Sequence, residues 1–395
     1  MNQIAGMVER GHKVIIMAMG SGHDATLPEE FERFGLLEKT VYTHCTGNSL
    51  TKRLSAALTY IFSIDRWYYP SVWRTLLAMI RRRNGPGTLG WPLLSQLRAA
   101  AVLFNERPEV IHCQFGTLGP IALHLKRLGA TDARLVVSFR GYDVTKYPKT
   151  HPGVYRDLFK HADLCLPVSE ALGRCLEEMG CAREKWLVHH SGIDCRKWKF
   201  SGRKLERDEP VRVLTVGRLV EKKGVEYAIR AVARLLESDH DVRYTIVGDG
   251  PLRQSLEALI TDLGIAHMVE LAGWKSHEEV LRLLQRAHIL LAPSVTASTG
   301  DQEGIPNSLK EAMALGLPVI GTTHGGIPEL VEDGVSGLLV PERDVESLAE
   351  ALERLTSQPE LWPAMGRAGR KHVEAEFDRE VLNDLLVQMY RGICY

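Results

Sequence analysis

Several features are missing from this sequence of 395 residues, and each absence narrows what it can be. No run of 18 uninterrupted apolar residues occurs, so no membrane-spanning helix is expected. The opening residues, Met1-Asn2-Gln3, carry no signal-peptide pattern. Seven cysteines, at positions 45, 113, 165, 175, 181, 195 and 394, form an odd set without C-x-x-C spacing, and no histidine cluster accompanies them. A reduced, cytoplasmic protein with neither a disulfide framework nor structural zinc is expected. G-x-G-x-x-G and G-x-x-x-x-G-K-S/T are both absent, which supports neither a dinucleotide site nor a P-loop. Net charge is zero overall, but the halves differ. Residues 1–200 hold 27 Lys+Arg against 18 Asp+Glu, and the remainder holds 22 against 31. Two domains with different partners fit both this asymmetry and the length. The composition, 45% apolar and 25% charged, is that of an ordinary soluble globular protein.

What is present is strand–helix alternation. Residues 4–10 read as the end of an amphipathic helix, followed by a strand over Lys13 to Met17. A doubly wound domain normally opens with a strand, and here that first strand is absent. Residues 51–83 read as helical, aromatic and basic, with Lys52, Arg53, Arg66, Arg74, Arg81, Arg82 and Arg83 against Asp65 alone. Such a stretch suits an anionic membrane surface. A packed helical pair with a solvated basic face is the other reading, and no nucleic-acid motif accompanies the charge. Strands follow at Val110 to Cys113, Arg134 to Phe139, Leu164 to Pro167 and Trp186 to Val188. Ser169 is a helix N-cap. His112 and His151 stand alone, and lone histidines are more often structural or surface groups than catalysts. Residues 196–210 read as a charged connector.

The second half is richer in chemistry. Val211 to Val216 is a near-continuous apolar strand, as expected for a parallel sheet buried on both faces. It leads into a loop from Gly217 to Gly224 carrying Arg218, Lys222 and Lys223, cations suited to a diphosphate. Further strands are expected at Tyr244 to Val247, Val269 to Leu271, Ile289 to Ala292, Pro318 to Gly321 and Gly337 to Val340, and residues 344–391 are largely helical. Gly248-Asp249-Gly250-Pro251 is turn chemistry. The stretch Gly300 to Glu311 reads as a loop entering a helix, with Pro306 in the first turn. A helix N-terminus offers unpaired N–H groups to an anion. Glu303 and Glu311 flank it, and carboxylates accept sugar hydroxyls well. From these two glutamates alone the plainer reading leads: a solvated loop residue, and a carboxylate that complements the helix dipole.

The motifs taken together carry more. Gly-Arg-Leu-Val-x-x-Lys-Gly at 217–224, Gly-Asp-Gly-Pro at 248–251, Glu-Gly-Ile-Pro-Asn-x-x-x-Glu at 303–311, Gly-Leu-Pro-Val at 316–319 and Gly-Gly-Ile-Pro-Glu-Leu-Val at 325–331 stand in order. Looser matches precede them at Ile111–Gly116, Phe139–Asp143 and Pro167–Glu170. This chain resembles the family 4 retaining glycosyltransferases of the GT-B fold, of the colanic-acid and amylovoran exopolysaccharide type, without their first N-terminal strand and its glycine-rich loop.

The resemblance implies an α/β protein with two Rossmann-like parallel-sheet domains facing a cleft. The expected division is an acceptor-side domain over 1–195, a linker over 196–210, a nucleotide-sugar-binding domain over 211–375, and a C-terminal helix over 376–395 packing back on the first domain. The implied activity moves a hexosyl unit from a UDP- or GDP-sugar to a polysaccharide, lipopolysaccharide or lipid-linked saccharide, with retention and without a metal or other cofactor. The alternative is a catalytically impaired nucleotide-sugar-binding protein derived from such an enzyme. The resemblance gives Glu303, Arg218 and Lys223 catalytic roles. It assigns donor binding to Gly217, Arg218, Lys223, Glu303, Gly304, Ile305, Pro306, Asn307 and Glu311. Acceptor-side candidates are His112, Arg140 and Asp143. Arg140 stands where many members have histidine, and it stays protonated, so it cannot be a general base. Gly300, Asp301 and Gln302 are the expected determinants of hexose choice. The expected location is cytoplasmic or peripheral on the inner face of the plasma membrane, with no nucleic-acid partner.

Overall fold

The structure is a computed structural model that describes residues 2–19, 29–43, 50–64, 70–81, 93–236 and 241–394. Cys45, Asp65, Arg66, Arg82 and Arg83 lie outside the described residues, as do the side chains of Lys52, Arg53 and Arg81.

The first half holds, among the described residues, five strands: β1 (Ile16–Ala18), β2 (Thr40–Tyr42), β3 (Val110–Cys113), β4 (Arg134–Phe139) and β5 (Leu164–Pro167). Among the described residues β1 and β2 form a parallel pair, and β3-β4-β5 form a separate parallel sheet. The first strand sits later than the expected Lys13 to Met17, because Ile16 N–H is the first to find a partner, the Lys39 carbonyl. Trp186 to Val188, expected as a strand, makes only a bridge between Trp186 and Cys165. Leu187 and His189 donate to the Cys165 and Pro167 carbonyls of β5, and Pro167 has no N–H with which to extend the pairing. The segment lies along the sheet without completing a ladder.

Among the described residues the second half forms one parallel sheet of six strands: β6 (Val211–Val216), β7 (Val242–Val247), β8 (Val269–Gly273), β9 (Ile289–Ala292), β10 (Val319–Thr322) and β11 (Leu338–Val340). Their spatial order is β11-β10-β9-β6-β7-β8. Alternation along β6 explains why this sheet is buried on both sides. Val211 and Val213 join one core cluster with Ile289, Leu291 and Ile320, whereas Leu214 joins the opposite cluster with Leu290, Val319 and Met313. Each such side chain contributes about 1.5–3 kcal/mol when removed from water.

The helix Arg379–Cys394 returns to the first half. Its Leu386 and Val387 share a core cluster with Met7, Val136, Leu164 and Leu166. Arg10 ties the helix Asn2–Glu9 to it through Glu380 and Asp384. The chain is an α/β protein, and every strand pair among its described residues is parallel.

Candidate active site

From β6 the chain runs outward to β7 and β8, then crosses to β9 on the other side of β6. This reversal is a topological switch point, and the loops leaving β6 and β9 bound a crevice at the carboxyl ends of the strands. The candidate site is built there.

The loop after β6 closes with a short 3-10 turn, Glu221–Lys223, and ends at Gly224. Arg218 is exposed, and its guanidinium has no hydrogen bond or ion pair among the described residues. Lys222 Nζ lies 3.2 Å from Asp301 Oδ1 and 3.4 Å from Glu303 Oε1. Lys223 Nζ lies 3.3 Å from the same Glu303 oxygen. A side chain on Gly217 would press on the Lys223 stem, so the glycine leaves that stem room. Gly248 has φ +141°, and a Cβ there would fall 1.8 Å from the Gly217 carbonyl, so only glycine lets the β7 loop pack beneath the cationic loop.

The loop after β9 supplies the carboxylates. Burial opposes the charge on Glu303, but Lys223 and Lys222 outweigh it and hold its carboxyl below the usual range. The helix that follows is Asn307–Leu315. Pro306 is its N-cap rather than a first-turn residue, with extended backbone and no capping side chain. The first N–H groups of this helix therefore have no capping side chain. Glu311 sits in the second turn, not the first, and is half-buried. Burial pushes its carboxyl up, against the pull of His277 and Lys310.

The two halves meet at these same loops. A Cβ on Gly141 would fall 2.4 Å from the Gln302 carbonyl, so the loop after β4 and the loop after β9 touch backbone to backbone. Gln302 N–H donates to Thr145 Oγ1 at 3.1 Å. The Glu329 carboxylate accepts from Glu170 N–H at 3.0 Å and Ala171 N–H at 3.3 Å, where Ser169 also caps the helix Glu170–Glu178 as expected.

Of the acceptor-side candidates, Arg140 alone stays at this meeting point. Its guanidinium sits 5.3 Å over the Phe115 ring, and Nε reaches the Gln114 carbonyl at 3.4 Å. Desolvation lowers its pKa. Asp143 is instead buried in a cap: its carboxylate accepts from the Arg140 N–H at 3.1 Å and from the Gly116 and Thr117 backbone. His112 has both ring nitrogens occupied, by Tyr390 Oη at 2.6 Å and Ser138 Oγ at 2.8 Å. Desolvation, with His189 and Arg140 nearby, pushes its pKa down to about 3, so it stays neutral and joins the C-terminal helix to the β3-β4-β5 sheet.

Three residues of this region, His324, Glu342 and Lys310, were not among the sequence candidates, whereas Lys222 is one of the loop cations expected from the sequence. Lys222 bridges Asp301 and Glu303. His324, after β10, accepts the Glu303 N–H, and its other ring nitrogen meets Glu342, after β11. Lys310 is fully buried in the helix Asn307–Leu315, and its ammonium donates to the Ser191 carbonyl. Burial pushes its pKa down to about 7, with Arg140 acting in the same direction and Glu311 against it. A lysine directly after Leu309, in the helix that carries Ala312, Met313 and Leu315 on its buried side, is the available signal for Lys310.

A separate cavity of about 640 Å³ opens in the first half beside β1, lined in part by Lys13, Lys39, Tyr60, Arg98 and Glu106. It shares no residue with the crevice. Among the described residues no group of three or more His, Cys, Asp or Glu is arranged to hold a metal ion.

Comparison with known proteins agrees with this geometry. Residues 1–197 match the family model Glycosyltransferase Family 4, and residues 196–372 match Glycosyl transferases group 1. The WcaL protein of Escherichia coli, described as a colanic acid biosynthesis glycosyltransferase, is 34% identical over 100% of this chain and 96% of its own length. The amylovoran biosynthesis glycosyltransferase AmsK of Erwinia amylovora is 34% identical over 96% of this chain and 92% of its own. Among solved structures, a glycosyltransferase from Rickettsia africae superposes with a TM-score of 0.72, at 16% identity, over 99% of this chain and 93% of that one. The HepE protein of Anabaena, solved in complex with UDP, gives 0.65 at 19% identity over 85% and 96%. These structures share the two-domain GT-B fold with this chain.

Proposed function

The chain belongs to the glycosyltransferases, family 4 in its first half and group 1 in its second, and from that premise we propose that it moves a hexosyl unit from a nucleoside diphosphate sugar to a saccharide acceptor, with retention at the anomeric carbon. The observation that carries this reading is the crevice at the switch point. Two ammoniums, Lys222 and Lys223, converge on the Glu303 carboxylate there, with the unpartnered Arg218 on the same loop as the lysines and an uncapped helix N-terminus four residues after Glu303. A diphosphate needs the cations and the helix end, and a sugar hydroxyl needs the carboxylate.

The roles follow from the layout. Arg218 and Lys223, with Lys222 beside them, would hold the diphosphate and neutralise the departing phosphate. Glu303 and the backbone from Gly304 to Asn307 would hold the transferred sugar, and Glu311 the ribose hydroxyls. Gly217 gives the phosphates close approach. Gly300, Asp301 and Gln302 border the sugar position and are proposed to set hexose choice. Arg140, on the facing half, would meet a negatively charged acceptor group or the donor. The side-chain cations do the work a metal would otherwise do, so turnover is expected to survive chelation. The acceptor side belongs to residues 1–195 and the donor side to 211–375 in this reading.

The relatives with full-length similarity carry names from colanic acid and amylovoran biosynthesis, which supports a polysaccharide or lipid-linked saccharide acceptor. No helix among the described residues is long and apolar enough to cross a membrane. A peripheral attachment is proposed through the helices Leu50–Phe62 and Pro70–Arg81, which expose Leu58, Phe62, Trp73 and Leu77 in pairs one turn apart, with Arg74 beside them. Flotation with phosphatidylglycerol vesicles tests this part. No flotation, or flotation equal on neutral vesicles, would remove it.

Incubation with UDP-glucose, UDP-galactose and GDP-mannose, plus a lipid-linked saccharide, tests the function. One donor should yield product whose new linkage keeps the donor's anomeric configuration by NMR. Inversion would overturn the retaining mechanism, and absence of product with every donor and acceptor would overturn the reading.

A further inference from the structure

The Glu303 carboxylate is held by lysines, but its backbone is held by something else. The peptide N–H of Glu303 points at His324 Nε2, 3.0 Å away. An amide can only donate, so Nε2 carries the lone pair and the proton of the neutral ring sits on Nδ1. Nδ1 then donates to Glu342 Oε1 at 2.6 Å. Glu342 is fixed in turn: its Oε2 accepts the Thr296 N–H at 2.7 Å, and its Oε1 accepts from Thr296 Oγ1 at 3.3 Å. Burial opposes charge on Glu342, but the Thr296 and His324 hydrogen bonds outweigh it and hold the carboxyl low. Gln302 Nε2 reaches the same Thr296 hydroxyl at 3.2 Å. The path runs from β11 through Glu342, to His324 after β10, and back to the peptide of Glu303 in the loop after β9.

We propose that His324, oriented by Glu342, is the positioning residue of the sugar site: it fixes the backbone of Glu303 and so the carboxylate that meets the transferred hexose. The inference rests on the reading of Glu303 given above. The loop 293–306 is long, and its ion pairs to Lys222 and Lys223 constrain only a side-chain end. A hydrogen bond from the Glu303 peptide N–H to a buried ring constrains the chain itself. A carboxylate displaced by about 1 Å from a reacting group can cost on the order of 100-fold in turnover. The proposed diphosphate ligands Arg218 and Lys223 have their backbone in another loop, and only the end of the Lys223 side chain touches Glu303.

A matched pair of variants separates positioning from folding. In His324→Asn the amide stands where Nδ1 stood and keeps Glu342, but cannot reach the Glu303 N–H. In His324→Gln the amide oxygen reaches the Nε2 position and can accept it. With whichever of UDP-glucose, UDP-galactose or GDP-mannose the wild type turns over, His324→Asn should lower kcat about 100-fold, and His324→Gln should recover to within about tenfold of wild type. Affinity for the free nucleoside diphosphate should stay near the wild-type value in both. Equal kcat in the Asn variant and wild type would overturn the proposal. So would a Gln variant no better than the Asn variant, or a loss seen equally in nucleoside diphosphate affinity. Glu303→Ala is measured alongside. Unchanged turnover there would remove the reading of Glu303 itself, whereas a loss there with an active His324→Asn would remove only the role of His324.

Discussion

Gln302 and Thr145 stand 157 positions apart and share a hydrogen bond, N–H to Oγ1 at 3.1 Å. The next peptide along, that of Glu303, donates to His324 instead. Two consecutive amides of one loop are thus bound, one to each half of the molecule. Thr145 also donates from Oγ1 to the Gly141 carbonyl at 2.8 Å. Thr145→Val keeps the shape and removes both partners. It should lower the urea unfolding free energy by about 1–3 kcal/mol, the cost of leaving buried groups unpaired. A change under about 0.5 kcal/mol would show that the contact is not made in solution.

Glu329 performs a helix-capping role from the opposite half. Its carboxylate serves two N–H groups at the start of the helix Glu170–Glu178, where negative charge is favoured. Glu329→Ala should weaken the closed arrangement without unfolding either half, since Ser169 still caps Leu172. Small-angle X-ray scattering should record a larger radius of gyration for the variant than for the wild type. An unchanged radius would mean closure does not depend on this cap.

Lys310 gives a pH dependence whose sign is fixed. Its pKa in the folded chain is about 7, against 10.5 for the free group. Between those values the unfolded chain binds a proton that the folded chain does not, so this residue makes stability rise with pH across about 7 to 10.5. Below pH 7 the lysine is charged in both states and the burial penalty is fully present. Lys310→Met removes this contribution. Urea titrations between pH 6 and 9.5 should show a slope smaller in the variant by up to about 1.4 kcal/mol per pH unit. Parallel curves would contradict the assignment.

His112 is predicted to be a structural group. Tyr390→Phe removes its Nδ1 partner from the C-terminal helix. The variant should lose about 0.5–1.5 kcal/mol of stability while keeping kcat and donor KM. A selective loss of kcat would return His112 to the acceptor side.

Much of the second half was legible because its sheet is buried on both faces. Val211 to Val216 and Ile289 to Ala292 are strands with the bounds their apolar runs suggest. Trp186 to Val188 has the same look, yet it makes a single bridge to β5 rather than a ladder, and nothing local in its sequence reports that. Glu303, Arg218 and Lys223 could be singled out because their motifs sit in loops after strands. The structure gathers Glu303 and Lys223 into an ion pair. Asp143 and His112 looked alike to the eye, polar groups at strand ends, but their partners are Arg140, Gly116, Thr117, Tyr390 and Ser138, most of them distant in sequence. His324 escaped for the same reason. Its role depends on Glu342 and on a peptide 21 positions earlier, and no periodicity or spacing marks either.

The central claim is that the switch-point crevice binds a nucleoside diphosphate through Arg218 and Lys223. Thermal unfolding with UDP, GDP, ADP and CDP, on wild type, Arg218→Ala and Lys223→Ala, tests it most directly. At 100 times its dissociation constant a ligand adds about 2.7 kcal/mol, a shift of several degrees in Tm. The prediction is that one nucleotide raises the wild-type Tm and that both variants lose most of that rise. No shift with any nucleotide, or an equal shift in wild type and Arg218→Ala, would contradict the account.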